Sequence, residues 1–327
     1  MYFIEKGLGW KWLAVLFAFF GAIAALGGGN MLQANSVAAV MQKVFHVNPW
    51  VSGVVVAFLT GITLFGGIKS IGKVAGYLVP FMAILYISGA TLILILCFDK
   101  IPGTILTIFT TAFTGQSAFG GFLGASLATA LRVGVSRGLM TSEAGLGTAS
   151  IAASAARTDL PGRQALVSMT GSFLATIIMC SVTGLVLGVT NVFGLTDESG
   201  HLLNGASMTV AAFESVLKGG GYIVTIGLIL FAFTTLLGWA YYGEKCVEYL
   251  FGIRSIPFYR ILFTLVIVLG SVLKLEIVWK ISDIFNGLMA FPNLIALCAL
   301  SGLVISETNI FLNVLKAENE AHLHKDF

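Results

Sequence analysis

Three short stretches place polar groups among apolar neighbours. "GGGNMLQANS" (27–36) carries the amides Asn30, Gln33 and Asn35. "TSEAGLGTASIAAS" (141–154) carries a carboxylate, Glu143, then Gly145 and Gly147, with hydroxyls at Thr141, Ser142, Thr148, Ser150 and Ser154. "FAFTTLLGWAYYGEK" (231–245) carries Thr234, Thr235 and Trp239. A polar or ionised group inside a bilayer is costly and persists where it faces a cavity or a partner, so each stretch is a candidate ligand site.

The chemistry differs among the three. Asn30 and Gln33 are three residues apart and share a face of a regular helix, where amides can hydrogen-bond a ligand. The competing use is an interhelical hydrogen bond beside small packing glycines. In the second stretch the two glycines break a helix just after Glu143. A helix broken at mid-membrane exposes N–H groups to anionic parts of a ligand and carbonyls to cations. The competing use is a helix end near the surface with Glu143 solvated. In the third, hydroxyls at Thr234 or Thr235 suit a desolvated alkali cation. Trp239 lies four residues beyond Thr235 on the same face and could wall an apolar side-chain pocket. Its competing use is belt packing with Tyr241 and Tyr242 at the membrane interface.

The elements that must position these groups are membrane helices. Of the 327 residues, 57% are hydrophobic and 10% charged, whereas soluble domains carry about 25% charged residues. Apolar runs of bilayer length recur from end to end, which predicts an all-α polytopic membrane protein. Helices are expected at about 12–42, 50–67, 76–98, 163–192, 221–247, 258–275 and 283–305, with a re-entrant or surface helix within 104–135. Pro292 predicts a break or kink in the last apolar segment. The polar residues 316–327 read as a frayed tail. With the N-terminal loop inside, nine basic residues fall on the cytoplasmic side and seven, including Arg132, Arg137 and Lys280, on the other, the expected direction of bias.

Several classes are excluded. The net charge of +3 is small and scattered, so no nucleic-acid partner is implied. "GLGTAS" lacks the last glycine of a dinucleotide loop and follows no strand. "GASLA" fails the nucleophile-elbow pattern. No HExxH occurs, and the four histidines fall in predicted loops or the tail, so the chain is read as no enzyme and as needing no cofactor. Cys97, Cys180, Cys246 and Cys298 are scattered, which argues against metal or disulfide roles.

"GNMLQANSVA", "GGIKSIGKVAGYLVPFMA", "SRGLMTSEAGLGTASIAASAARTDLPGRQALV", "LFAFTTLLGWAYYGEKCVEYLFG" and "FNGLMAFPNLIAL" occur in an order that resembles the alanine/glycine:cation symporter family nearly end to end. The resemblance implies secondary active symport of small neutral amino acids with sodium or protons, in a multi-pass protein of a prokaryotic plasma membrane. It implies a LeuT-type inverted-repeat fold, with residues 1–327 as one transporter domain holding core helices three to ten plus a C-terminal helix. It implies substrate contacts at Gln33, Met140, Ala144, Gly145, Thr235 and Trp239, supported by Asn30, Asn35, Glu143 and Gly147. Sodium would be held by Thr234 and Thr235. Met140, Thr141 and Ser142 depart from the family's Phe-Ser-Asn before Glu143, which leaves the choice among small neutral amino acids open. The resemblance further implies that core helices one and two lie outside the chain, which keeps a non-transporting membrane fragment as the alternative.

Overall fold

The computed structural model describes residues 1–114, 127–196, 200 and 202–323, and nearly all of them are helical. A short helix, α1 (Tyr2–Leu8), ends at Gly9, whose left-handed φ of 70° turns the chain. The first long span runs from Lys11 to Phe45. It comprises α2 (Lys11–Leu26), a π-helical turn (Gly27–Met31) and α3 (Leu32–Phe45). Asn48 then caps α4 (Pro49–Phe65), its side chain accepting from the Trp50 N–H at 2.9 Å, and Pro49 occupies the first turn, where its missing donor costs nothing. Next come α5 (Gly67–Leu96), α6 (Ile101–Thr114), α7 (Leu127–Ser142) and α8 (Thr148–Ala153). The span Pro161–Thr190 is α9 (Pro161–Ser172) and α10 (Cys180–Thr190), joined by a second π-turn (Phe173–Met179). The chain finishes with α11 (Gly205–Val216), α12 (Gly220–Phe251), α13 (Ile256–Val272), α14 (Leu275–Ala299) and α15 (Ser301–Leu323).

Among the described residues, six helices are long and apolar enough to cross a membrane: Lys11–Phe45, Gly67–Leu96, Pro161–Thr190, Gly220–Phe251, Ile253–Val272 and Leu275–Ala299. The chain is therefore an all-α polytopic membrane protein. Its main core lies where α2 packs between α12 and α14, with α13 against α4, and buries Phe17, Leu236, Phe263, Ile267 and Met289. Small residues permit the close approach, which is how helices associate where lipid is as apolar as the side chains. A Cβ on Gly21 would sit 2.9 Å from Cys246 Sγ. A second core joins α5, α10 and α11 around Tyr86, Ile93, Val186 and Phe213.

Three expectations need correction. The third apolar helix begins at Gly67 rather than at 76, because the polar Lys69 and Lys73 continue the helix instead of ending it. Pro292 does not divide the last segment: α14 runs unbroken through it, and the interruption falls at Leu300. The polar residues after Lys316 remain helical to Leu323, held by a salt bridge from Arg163 to Glu318 and by Phe311 seated on Gly162. The expected re-entrant or surface helix within 104–135 is helical at 101–114 and from Leu127 on, while 115–126 lie outside the described residues. Residues 324–327 and His201 also lie outside them.

Candidate functional site

The π-turn Gly27–Met31 is the point on which the separate elements converge. Three consecutive glycines let neighbours press onto the backbone. A Cβ on Gly29 would lie 2.2 Å from Trp239 Cγ, so the indole of α12 rests directly on the turn. A Cβ on Gly28 would meet Ser282 Oγ at 2.5 Å, Asn286 Nδ2 at 3.0 Å and Met140 Cε at 3.5 Å. The Gly28 carbonyl also accepts from Gln33 Nε2 at 3.3 Å. Gln33, Met140 and Trp239 thus come from α3, α7 and α12 to one turn. Trp239 is 4% exposed and meets Tyr242 edge-on at 5.7 Å, so it is a core residue and not part of an interfacial belt.

The amides separate. Asn30 Nδ2 donates to the Phe263 carbonyl at 2.7 Å, and Asn35 Nδ2 to those of Gly270 and Leu273 at 3.0 and 2.7 Å, on α13 and at its C-terminal cap. Both act as interhelical ties. Gln33 instead lines a cavity of about 270 Å³ with Ser36, Tyr86, Thr183 and Phe231. Residues three apart on an α-helix lie about 60° apart. The π-turn ends between Asn30 and Gln33, and the two amides meet different surroundings, Asn30 the Phe263 carbonyl and Gln33 the cavity.

The break after α7 is real. Glu143 and Gly147 adopt left-handed φ values of 57° and 88°, and the regular helix stops between Ser142 and Thr148, where a turn closes through the Gly147 N–H to the Glu143 carbonyl at 3.0 Å. A non-glycine residue in that region is strained and persists only where its surroundings hold it. Glu143 Oε2 accepts from Thr148 Oγ1 at 3.1 Å. Glu143 is half-buried beside this hydroxyl and is not simply solvated. The carbonyls of Ala144 and Gly145 accept from Asn293 Nδ2 at 3.0 and 2.9 Å. Ala144 itself is exposed. A Cβ on Gly147 would come within 2.6 Å of Asn293 Oδ1 and 2.7 Å of Phe17, so this glycine is needed for space as well as for φ.

On α12, Thr234 Oγ1 donates to the carbonyls of Leu230 and Phe231, both at 3.0 Å, and lies near Met82 Sδ. No hydrogen bond among the described residues engages the Thr235 hydroxyl.

A family profile described as the sodium:alanine symporter family matches residues 1–325. The chain belongs to that family. Its relatives include the sodium/alanine symporter AgcS of Methanococcus maripaludis, 52% identical over 97% of this chain and 70% of the relative. A putative sodium/proton-dependent alanine carrier of Bacillus subtilis is 36% identical over 92% of this chain and 64% of the relative. A probable sodium/glutamine symporter of the same organism is 33% identical over 99% and 66%. Membership places the chain among transporters, with sodium as the family's coupling ion, and not among enzymes.

Asn293, Asn286, Ser282 and Tyr242 were not singled out by their sequence alone. The signal was present for the first: an amide beside Pro292 in an apolar run is a buried polar group in need of a partner.

Proposed function

We propose that the chain carries the machinery of sodium-coupled symport of small neutral amino acids, alanine or glycine, on a LeuT-type inverted-repeat fold in a prokaryotic plasma membrane. The observation that supports this most is the meeting of Gln33, Met140 and Trp239 at a glycine-rich π-turn beside a helix broken at Ala144 and Gly145. Gln33 would hydrogen-bond the substrate. Trp239, Met140 and Ala144 would bound its small side chain. Gly145 and Gly147 keep the backbone open, Asn30 and Asn35 brace the site against α13, and Glu143 ties the two sides of the break together through Thr148.

The residues present fit a sodium ion in one respect. The Thr234 hydroxyl spends its proton on its own helix, which leaves oxygen lone pairs for a cation, and the neighbouring Thr235 oxygen is unengaged among the described residues. The names of the relatives add alanine and sodium, and in one case protons and in another glutamine.

The test is uptake of labelled alanine into proteoliposomes under an imposed sodium gradient. It is run on the 327-residue chain and on the chain joined to the part of the Methanococcus relative that it does not match. Sodium-stimulated uptake is expected, and a Thr234→Val/Thr235→Val double variant should lose the sodium response. Uptake by neither form above empty vesicles overturns the reading, and a wild-type sodium response in the double variant moves the cation site elsewhere.

A further inference from the structure

The second π-turn, Phe173–Met179, joins two halves of a span that are held differently. α10 is fixed in the second core through Val186 and Val189. α9 and the π-turn bury none of their residues. Contacts at both ends set where α9 lies. At its start, Gly162 forms a notch for Phe311 of α15: a Cβ there would lie 2.3 Å from the ring, and Phe311 is buried. Beside the notch, Arg163 Nη2 donates to Glu318 Oε1, and Arg163 Nε lies 3.2 Å from Asp159 Oδ1. At its end, Ser172 Oγ donates at 3.4 Å to the carbonyl of Ser142, the last residue of α7 before the break.

Inside the π-turn one group does not fit. The Thr176 hydroxyl oxygen is buried without a hydrogen-bond partner among the described residues. In an α-helix a threonine hydroxyl reaches the carbonyl four residues back, and Thr170, Thr183 and Thr190 of the same span do so at 2.9, 2.8 and 2.7 Å. Thr176 does not, although Ser172 stands at that spacing. A buried hydroxyl left unpaired is disfavoured. The π form therefore carries a defect that the α form of the same residues removes. Passing from π to α turns α9 about its own axis against the fixed α10, which takes Gly162 and Arg163 off α15 and Ser172 off Ser142. The α15 contacts and the Thr176 bond exclude each other.

We propose that this span is a two-state switch: α15 clasps α9 and holds Phe173–Met179 in its π form, and release of the clasp lets Thr176 bond the Ser172 carbonyl in an α form. An exposed ion pair is weak, so Arg163–Glu318 biases the switch and does not lock it. Ser172 carries the change to the end of α7, so the C-terminal helix acts on the break through α9. The switch requires nothing of the transport reading above.

The test is pulsed electron-spin distance measurement on the 327-residue chain in lipid nanodiscs. Spin labels sit at Val167→Cys on α9 and Ile305→Cys on α15, both exposed, with the exposed Cys180 and Cys298 replaced by alanine. Two distance populations are expected, the clasped one dominant. Glu318→Gln should raise the ratio of the second to the first about two- to fivefold. Gly162→Ala, which evicts Phe311 while favouring α9 as a helix, should raise it about tenfold or more. Adding Thr176→Val to either keeps the shape and removes the hydroxyl, and should return the ratio to the wild-type value or below. Thr176→Ser should not. One population in wild type and Glu318→Gln alike overturns the switch. So does a second population that Thr176→Val leaves unchanged, which would make α15 a loosely packed helix and nothing more. Glu318→Gln and Thr176→Val alter one exposed group and one hydroxyl, so their comparison decides even where Gly162→Ala fails to fold.

Discussion

Two stretches of this chain depart from regular helix in opposite ways. In Lys11–Phe45 the backbone stays helical throughout, widening to a π-turn whose glycines are buried under Trp239, Ser282 and Asn286. Between α7 and α8 the helix stops, two residues turn left-handed, and the freed carbonyls go to an amide from α14. A π-turn keeps the backbone hydrogen-bonded and changes only which way side chains point. A break frees backbone groups, which must be satisfied by other parts of the molecule or by a ligand. In the proposed site, the first device would set the wall and the second would provide the polar groups.

This contrast can be broken most forcefully at Gly147. Gly147→Ala adds left-handed strain and drives a Cβ onto Asn293 and Phe17, together about 2–5 kcal/mol of destabilisation. Thermal unfolding in detergent should register it, and an unchanged midpoint would mean that the break is not held as described. Gly29→Ala tests the other device. Its Cβ collides with Trp239, at a cost of about 1–3 kcal/mol, and Trp239→Leu in the same chain should recover part of it. No recovery in the double variant would show that the indole does not rest on the π-turn.

Gln33→Ala sharpens the comparison functionally, because Gln33, unlike Asn30, lines a cavity. Removing a hydrogen-bonding partner should weaken apparent alanine affinity about tenfold, near 1.4 kcal/mol, with folding retained. Unchanged KM for uptake would assign Gln33 to the turn alone. The smallest effect is expected at Glu214, outside both devices. Its carboxylate accepts from the N–H groups of Gly221 and Gly219 at 2.9 and 3.1 Å, at the N-terminus of α12, and these bonds hold its pKa below the usual carboxylate range. Because the folded form binds its proton less readily, this stabilisation is present above the ordinary glutamate pKa, about 4.3. It is lost as pH falls through the depressed folded value. In unfolding curves Glu214→Gln should remove that acid-side dependence, with less than about 1 kcal/mol at neutral pH because the side chain is exposed.

Much of this was legible in the residue order. The long spans follow from apolar run length, and the break after Glu143 from two glycines beside a carboxylate. The π-turn was not legible, because "GGGNM" is as compatible with a continuing α-helix as with a widened one. The choice is made by Trp239 and Asn286, distant in sequence. That hidden turn ends between Asn30 and Gln33, which meet different surroundings despite their spacing. Pro292 misled in the other direction. Proline removes one donor, but α14, packed against α2, continues through it, and the residue that mattered was its neighbour Asn293. The Arg163–Glu318 pair escaped notice because its members are 155 positions apart.

A π-turn is an α-helix that has taken in surplus backbone without passing it along. Below it, α2 keeps its alanines against α12 and α14, and above it α3 keeps Asn35 on α13. Gly27–Met31 is thus the one place in this span where the chain carries slack. A residue gained or lost there is absorbed as a change of winding, whereas anywhere else along Lys11–Phe45 it would turn one half of the helix by about 100° against all of its neighbours.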